Sequence, residues 1–197
     1  SHGRLLVLTG ARQTGKTTLA RETFPDLTYI SLEDPVSRPA WAGLSAADWI
    51  ERHPTAILDE VQKAPSVVEA VRAAYDASER VRYVLLGSSQ ILLLSRVKES
   101  LAGRTAIEEL WPLTLPELAT ASWEDPVGES RLVQWLRTDL QSEAQLLGVP
   151  ASSRAFARFE PIFNRYLRFG GMPAVHDSSL DDAEREEWLL NYQRTYL

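Results

Sequence analysis

The chain of 197 residues contains no cysteine, which excludes a disulfide framework and any thiolate-held metal or redox centre. Histidine is scarce: His2, His53 and His176 stand singly, so no imidazole-based metal site is expected and each reads as a surface or loop residue. No apolar run approaches the roughly 20 residues that a membrane-spanning helix needs, and no secretory leader is expected. The cytoplasm is the expected compartment. Basic residues are not in excess. Lys and Arg number 21 against 27 Asp and Glu, a net charge of −6, so the chain as a whole has no attraction to nucleic acid or anionic membrane, although a local basic patch stays open. Ser1-His2-Gly3 reads as a cloning remnant.

What is present is ordinary globular material: 44% hydrophobic and 24% charged residues, enough for one well-buried α/β core and a small appendage. The first half alternates short β-type runs with helical patterns. Leu5 to Thr9 is a continuous apolar run, as in a strand buried on both faces. Lys16 to Phe24 reads as a helix stopped by Pro25. Thr28 to Leu32 is a second strand, ended by Glu33-Asp34-Pro35. Ser45 is placed to cap a helix that runs to Arg52 and stops before Pro54. Thr55 to Leu58 is a third strand that runs into Asp59-Glu60. Ser66 is expected to cap a helix of about three turns through Ser78, with Val67, Val68, Val71 and Ala74 as its apolar stripe. Arg82 to Leu86 and Ala106 to Leu110 supply strands four and five, with a helical period from Ile91 to Leu101 between them. Strands separated by helices imply parallel pairing, right-handed crossovers and an open, doubly wound α/β sheet.

After Pro112 strand-like runs disappear. Glu129 to Leu147, Ile162 to Phe169 and Asp181 to Leu197 read as helices, punctuated by Gly148-Val149-Pro150 and Gly170-Gly171-Met172-Pro173. Two parts are expected: a core over residues 4–118, then a helical lid and the start of a truncated C-terminal region over 119–197. The last helix shows no stop signal, so the natural chain is expected to continue.

Gly10-Ala11-Arg12-Gln13-Thr14-Gly15-Lys16-Thr17 fits G-x-x-x-x-G-K-[ST]. Glycines at these places let the backbone curl around a polyphosphate with its N–H groups pointing inward. The helix that follows adds its positive end and unpaired amides, so the cradle is expected to run from Gly10 through Thr18. Lys16 can reach β- and γ-phosphate oxygens, and the Thr17 hydroxyl is placed to ligate Mg²⁺. An apolar strand before the loop and a helical pattern after it supply the context the motif requires.

Asp59 and Glu60 close strand three at the sheet edge where ligands of open α/β folds sit. Asp59 is expected to hold Mg²⁺ directly or through water, and Glu60 to polarise an attacking water. The Glu favours a hydrolase over a small-molecule kinase, which needs no water-activating carboxylate. Gly87-Ser88-Ser89-Gln90 ends strand four. Ser88 is the first choice for orienting the water or sensing the γ-phosphate, with Ser89 and Gln90 as alternatives; a turn that caps the next helix explains the stretch as well. Arg104, in Ser100-Leu101-Ala102-Gly103-Arg104, suits an arginine finger reaching a neighbouring subunit's γ-phosphate, or equally a solvated arginine paired with Glu99 or Glu108.

In order along the chain, GARQTGKTTL, YISLEDP, AILDEVQKAP, VLLGSSQILLL, ESLAGR and YLRFGGMPAV resemble the prokaryotic AAA-family-14 ATPases, often followed by a DUF4143 C-terminal domain. The resemblance runs from Arg4 to about Leu197. It implies a P-loop NTPase core of AAA+ type, with a parallel five-stranded sheet in the order 5-1-4-3-2 and a small helical lid. It also implies ATP as nucleotide and Mg²⁺ as its ion. Gly10, Gly15, Lys16 and Thr17 then fall on Walker A, Asp59 and Glu60 on Walker B, Ser88 or Ser89 on sensor 1, and Arg104 on the arginine of the SLAGR stretch. No motif decides whether Arg165 or Arg168 acts from the lid, and solvated arginines beside a packed Tyr166, Leu167 and Phe169 fit equally.

The expected function is therefore Mg²⁺-dependent ATP hydrolysis coupled, through lid motion, to a C-terminal domain or protein partner. A homo-oligomer or partner is expected on the Arg104 face. Two alternatives stay open: a low-turnover switch of toxin–antitoxin or signalling type, and a nucleic-acid-stimulated motor. Trp41, Trp49, Trp111 and Trp135 read as core residues rather than base-stacking platforms. Glu124-Asp125 and Asp181-Asp182 read as solvated helix starts, and Gln62-Lys63, which could contact a neighbour or the γ-phosphate region, as helix N-terminal surface.

Overall fold

The computed structural model describes residues 4–88, 105–122, 124–129, 133, 136, 137 and 154–196. Contacts divide it into two units, one ending at Trp111 and the other starting at Pro112. The first holds strands β1 (Leu5–Thr9), β2 (Thr28–Ser31), β3 (Thr55–Asp59), β4 (Arg82–Leu86) and β5 (Ala106–Glu109). Every neighbouring pair is parallel, and the order is β2-β3-β4-β1-β5. Read from the other edge this is 5-1-4-3-2, as expected. Helices α1 (Lys16–Thr23), α2 (Arg38–Ala42), α3 (Ala46–Arg52) and α4 (Pro65–Ala77) flank the sheet.

Strand alternation sorts the core into two faces. Leu5, Val7, Ile30, Ala56, Leu58, Tyr83 and Leu85 pack with Trp49 of α3 and with Val67, Val68, Val71 and Ala74 of α4. Leu8, Ile57, Val84 and Leu86 point the other way and pack with Ala20 of α1. Central strands covered on both sides read as unbroken apolar runs. The edge strand β5 has one neighbour and is mostly exposed. Trp111, just beyond this exposed edge strand, is 67% exposed, which corrects the expectation of a core tryptophan. Trp49 is fully buried, and Trp41 packs beside it with ring centroids 6.1 Å apart. Trp135 lies outside the described residues.

Ser45 caps α3 reciprocally: its Oγ accepts from Asp48 N over 3.2 Å while its own N–H donates to Asp48 Oδ2 over 3.0 Å. Ser66 does not cap α4. The helix begins one residue earlier at Pro65, whose fixed φ and missing N–H suit the first helical position. Ser66 then falls inside the first turn.

In the second unit, α5 (Leu115–Leu118), α6 (Arg154–Phe169) and α7 (Asp182–Tyr196) are described. Helix α6 starts well before the expected Ile162, and it carries Pro161 in its interior. A proline removes one rung of the helical ladder, but here the helix continues through it, with Ile162, Tyr166 and Phe169 forming its more buried stripe. Asp181 caps α7 in a reciprocal pair with Glu184. Glu124 and Asp125 form a turn rather than a helix start, with Asp125 Oδ2 accepting from Ala121 N and Ser122 N. Of the expected helix from Glu129 to Leu147, only residues 129, 133, 136 and 137 are described, the last three as helix. The period from Ile91 to Leu101 lies outside the described residues. Among the described residues no helix is long and apolar enough to cross a membrane.

Candidate phosphate-binding site

Strand β1 lies between β4 and β5 and delivers the Gly10–Gly15 loop at its carboxyl end. Gly10 sits at φ +143°, and a Cβ there would lie 2.2 Å from the Leu110 carbonyl oxygen. Only glycine fits. Gly15, at φ +94°, is the N-cap of α1. Thr14 Oγ1 donates to Ala11 O over 2.9 Å and closes the loop on itself. Lys16 is buried, its Nζ donating to Gly10 O over 3.1 Å and Ala11 O over 2.6 Å. Burial lowers its pKa below the ordinary lysine value, with Arg12 adding to the effect; Glu60 and then Asp59 pull the other way. The ammonium and both carboxylates therefore share one locality.

Thr17, in the first turn of α1, meets Asp59 at the end of β3. Thr17 Oγ1 donates to Asp59 Oδ2 over 2.7 Å. Tyr29 of β2 donates to the same oxygen over 2.9 Å. The Glu60 N–H reaches Asp59 Oδ1 over 2.9 Å. Register explains Tyr29: β2 pairs with β3 so that Tyr29 faces Ile57 and Ser31 faces Asp59. Tyr29 and Asp59 are thus diagonal neighbours on the α1 face, within reach of a long aromatic side chain. Burial, then the bond to Asp59, push the Tyr29 phenol up to about 12, so it remains a donor.

Glu60 has left-handed backbone, φ +58°. Simple alternation would send it to the face opposite Asp59. Instead the chain turns into the short 3₁₀ segment Val61–Lys63, and Gln62 Nε2 donates to Glu60 Oε2. Lys63 reaches back to Glu33, holding that carboxyl below its ordinary range. Gln62-Lys63 is therefore not helix surface but a polar bracket beside the acidic pair. Ser88, two residues beyond β4, is buried, and its Oγ has no hydrogen-bond partner among the described residues. Ser89, Gln90, Glu99 and Arg104 lie outside the described residues. In the second unit, Arg168 is tied to Asp182 and Glu186 of α7. Arg165 lines a separate cavity of about 270 Å³ with Leu118, Pro161, Ile162 and His176.

The structure thus gathers Lys16, Thr17, Asp59 and Glu60, with Ser88 at the end of the adjoining strand. Sequence reasoning missed Tyr29 and the bond of Gln62 to Glu60. Tyr29 carried no motif signal; Gln62 was visible only as a polar residue two beyond the acidic pair. Among the described residues no three His, Asp or Glu side chains cluster as a self-sufficient metal cage. One hydroxyl and one carboxylate in contact is instead the sparse protein donor set that suits a small hard cation completed by water and phosphate oxygens. The residues present fit Mg²⁺ carried in with a polyphosphate.

A parallel sheet in this order, with a glycine loop leaving the inner strand β1 for a helix, defines a P-loop nucleotide-binding fold. Residues 2–119, more than half of the chain, match the family AAA_14, described as an AAA domain. The chain belongs to that family. It is 33% identical over 129 residues to the uncharacterized protein Rv2008c of Mycobacterium tuberculosis and, to the same extent, to Mb2031c of Mycobacterium bovis. Each match covers 60% of this chain and 27% of the relative. The chain therefore spans about a quarter of the length of the curated relatives it matches. Among solved structures, CDC6P from Pyrobaculum aerophilum overlaps with a TM-score of 0.40 at 17% identity, over 59% of this chain and 42% of that one. Shikimate kinase from Acinetobacter baumannii, in complex with shikimate, overlaps at 0.34 and 12%, over 100% and 96%. Overlaps this loose add nothing to the reading of the site.

Proposed function

We propose that the chain binds ATP with Mg²⁺ and hydrolyses it. The observation that carries this reading is the convergence of Thr17 Oγ1 and Asp59 Oδ2 at 2.7 Å beside the buried Lys16. In this reading the amides from Gly10 through Thr18 cradle the phosphates, with Lys16 as the cation that moves from the loop carbonyls to phosphate oxygens. Thr17 and Asp59 hold the ion, which when bound neutralises charge on the β- and γ-phosphates. Glu60 takes a proton from water; the water oxygen bonds to the γ-phosphorus as the bond to the ADP oxygen breaks, leaving ADP and inorganic phosphate. Ser88 Oγ, buried and without a partner among the described residues, donates to the water or a γ-phosphate oxygen. Arg104 completes the site of a neighbouring copy. Residues 119–197 form the lid and the start of a further region, and lid motion carries the cycle to a C-terminal domain or partner in the cytoplasm.

A second reading, the low-turnover switch, draws on the bond from Gln62 to the Glu60 carboxylate, which occupies the group that must meet water. Phosphate release by the wild type and by Glu60→Gln, measured at several protein concentrations, tests both. Hydrolysis is expected to fall by a factor of about 100 or more in the variant while ATP binding persists. Equal background rates would remove the enzyme reading and leave the switch. Specific activity that rises with concentration in the wild type but not in Arg104→Ala is expected if that arginine acts between copies. Stimulation by DNA or RNA, lost steeply with salt, would instead favour a motor.

A further inference from the structure

Asp59 is held from three directions, and one of the three holds comes from a side chain of another strand, away from the phosphate loop. A carboxylate offers about four lone-pair positions across its two oxygens. Thr17 and Tyr29 occupy Oδ2, and the Glu60 N–H takes one position on Oδ1. Tyr29 comes from the edge strand β2, and its ring is itself placed from α1: the Arg21 guanidinium lies 5.1 Å from the ring centroid. The ring also walls a groove of about 540 Å³ along α1, lined with Thr17, Thr18, Arg21, Phe24 and Ile57. At 37% exposure Tyr29 is not core filling; the β2 residue that packs inside is Ile30.

We propose that Tyr29 is a positioning residue for the magnesium site: its hydroxyl, opposite the Glu60 N–H, locks the Asp59 carboxylate in one orientation and leaves a single acceptor position, on Oδ1. The inference rests on the Mg²⁺-nucleotide reading above. Without the Tyr29 hydroxyl, Thr17 is the only donor left on Oδ2 among the described residues, and the carboxylate gains rotational freedom that ion binding must remove. The cost falls on the ion and spares the phosphate cradle, because the Tyr29 hydroxyl donates to Asp59 while Lys16 donates to Gly10 O and Ala11 O.

The test uses the full chain and the fluorescent nucleotide mant-ATP, titrated with Mg²⁺ or held in EDTA. Tyr29→Phe keeps the ring and its contact with Arg21. It is expected to raise the Mg²⁺ midpoint on the order of tenfold, the size of one hydrogen bond to a charged acceptor, while affinity in EDTA stays at the wild-type value. At fixed Mg²⁺ the same substitution is expected to weaken mant-ATP in the wild-type background and to change nothing in an Asp59→Ala background. An unmoved midpoint, an equal loss with and without Mg²⁺, or the same loss in the Asp59→Ala background would overturn the positioning role. Wild-type protein that binds mant-ATP without any response to Mg²⁺ would overturn the functional reading itself, and this inference with it.

Discussion

Thr17 Oγ1 donates to Asp59 Oδ2 over 2.7 Å, joining the first turn of α1 to the end of β3 across 42 residues of sequence. The bond brings one hydroxyl and one carboxylate to a single point beside the buried ammonium of Lys16. If that point holds the ion, the hydroxyl is needed and the methyl is not. Thr17→Ser is expected to keep phosphate release within about threefold of wild type, and Thr17→Val to lower it by about 100-fold or more. Comparable rates from the Ser and Val variants would mean that Thr17 is a structural strut alone.

The two glycines of the loop are needed for different physical reasons, and stability separates them. A Cβ at Gly10 meets the backbone oxygen of Leu110 at 2.2 Å, which cannot move without disturbing the pairing of β1 with β5. Gly10→Ala combines that overlap with a backbone at φ +143° and is expected to cost about 3 kcal/mol or more. Gly15 has open space around it and asks only for its φ of +94°. Gly15→Ala is expected to cost about 1–2 kcal/mol. Chemical denaturation of both variants measures the gap; equal losses would contradict the clash at Gly10.

Much of this was readable from the chain. An apolar run such as Leu5–Thr9 carries its own signal, because a strand covered on both faces has no polar side to show. The glycine loop and the acidic pair are likewise local patterns. What was not readable depends on register or on a single backbone angle. Tyr29 reaches Asp59 only because β2 and β3 pair with Ser31 opposite Asp59. Gln62 meets Glu60 only because residue 60 takes a left-handed turn. Pro65 displaced Ser66 as the helix start since a proline satisfies the first helical position as well as a cap does. The helix expected from Ile162, by contrast, extends back through Pro161 to Arg154.

Ser88 poses a choice between a turn residue and a reporter of the γ-phosphate. A capping hydroxyl has a partner, and its loss is felt as stability. The Ser88 Oγ is buried and has none among the described residues. If Ser88 reports the γ-phosphate, Ser88→Ala is expected to leave the thermal midpoint of the nucleotide-free protein unchanged or slightly higher, while slowing phosphate release by about tenfold or more. A lowered midpoint with wild-type turnover would assign the residue to the turn.

Tyr83 gives a pH signature of the core. It is fully buried on the α3–α4 face, its hydroxyl has no partner among the described residues, and burial pushes its pKa from 10.0 to about 12. The folded state thus keeps its phenol proton over a range in which the unfolded chain has lost it. The associated stability is complete below pH 10 and is lost as pH rises toward 12. Tyr83→Phe removes an unsatisfied polar atom and is expected to gain about 1 kcal/mol at neutral pH. Its advantage over wild type is expected to widen between pH 10 and 12, as read by urea unfolding at a series of pH values. A gap that narrows over that range would reverse the sign assigned to burial.

The bond from Gln62 Nε2 to Glu60 Oε2 decides how far the site is poised for hydrolysis. The left-handed backbone at Glu60 points its carboxylate into this bracket, so one of its two oxygens is occupied before any water arrives. Removing the amide frees that oxygen without altering Asp59, Thr17 or the loop. Gln62→Ala is expected to raise kcat about threefold with KM for ATP unchanged, since no contact to the phosphate cradle is lost. Gln62→Glu sets two carboxylates side by side and is expected to lower kcat by like-charge repulsion. Steady-state phosphate release by the two variants measures both effects. A fall in kcat for Gln62→Ala would show that the amide aims Glu60 at the water, and the bracket would then belong to the catalytic arrangement instead of restraining it.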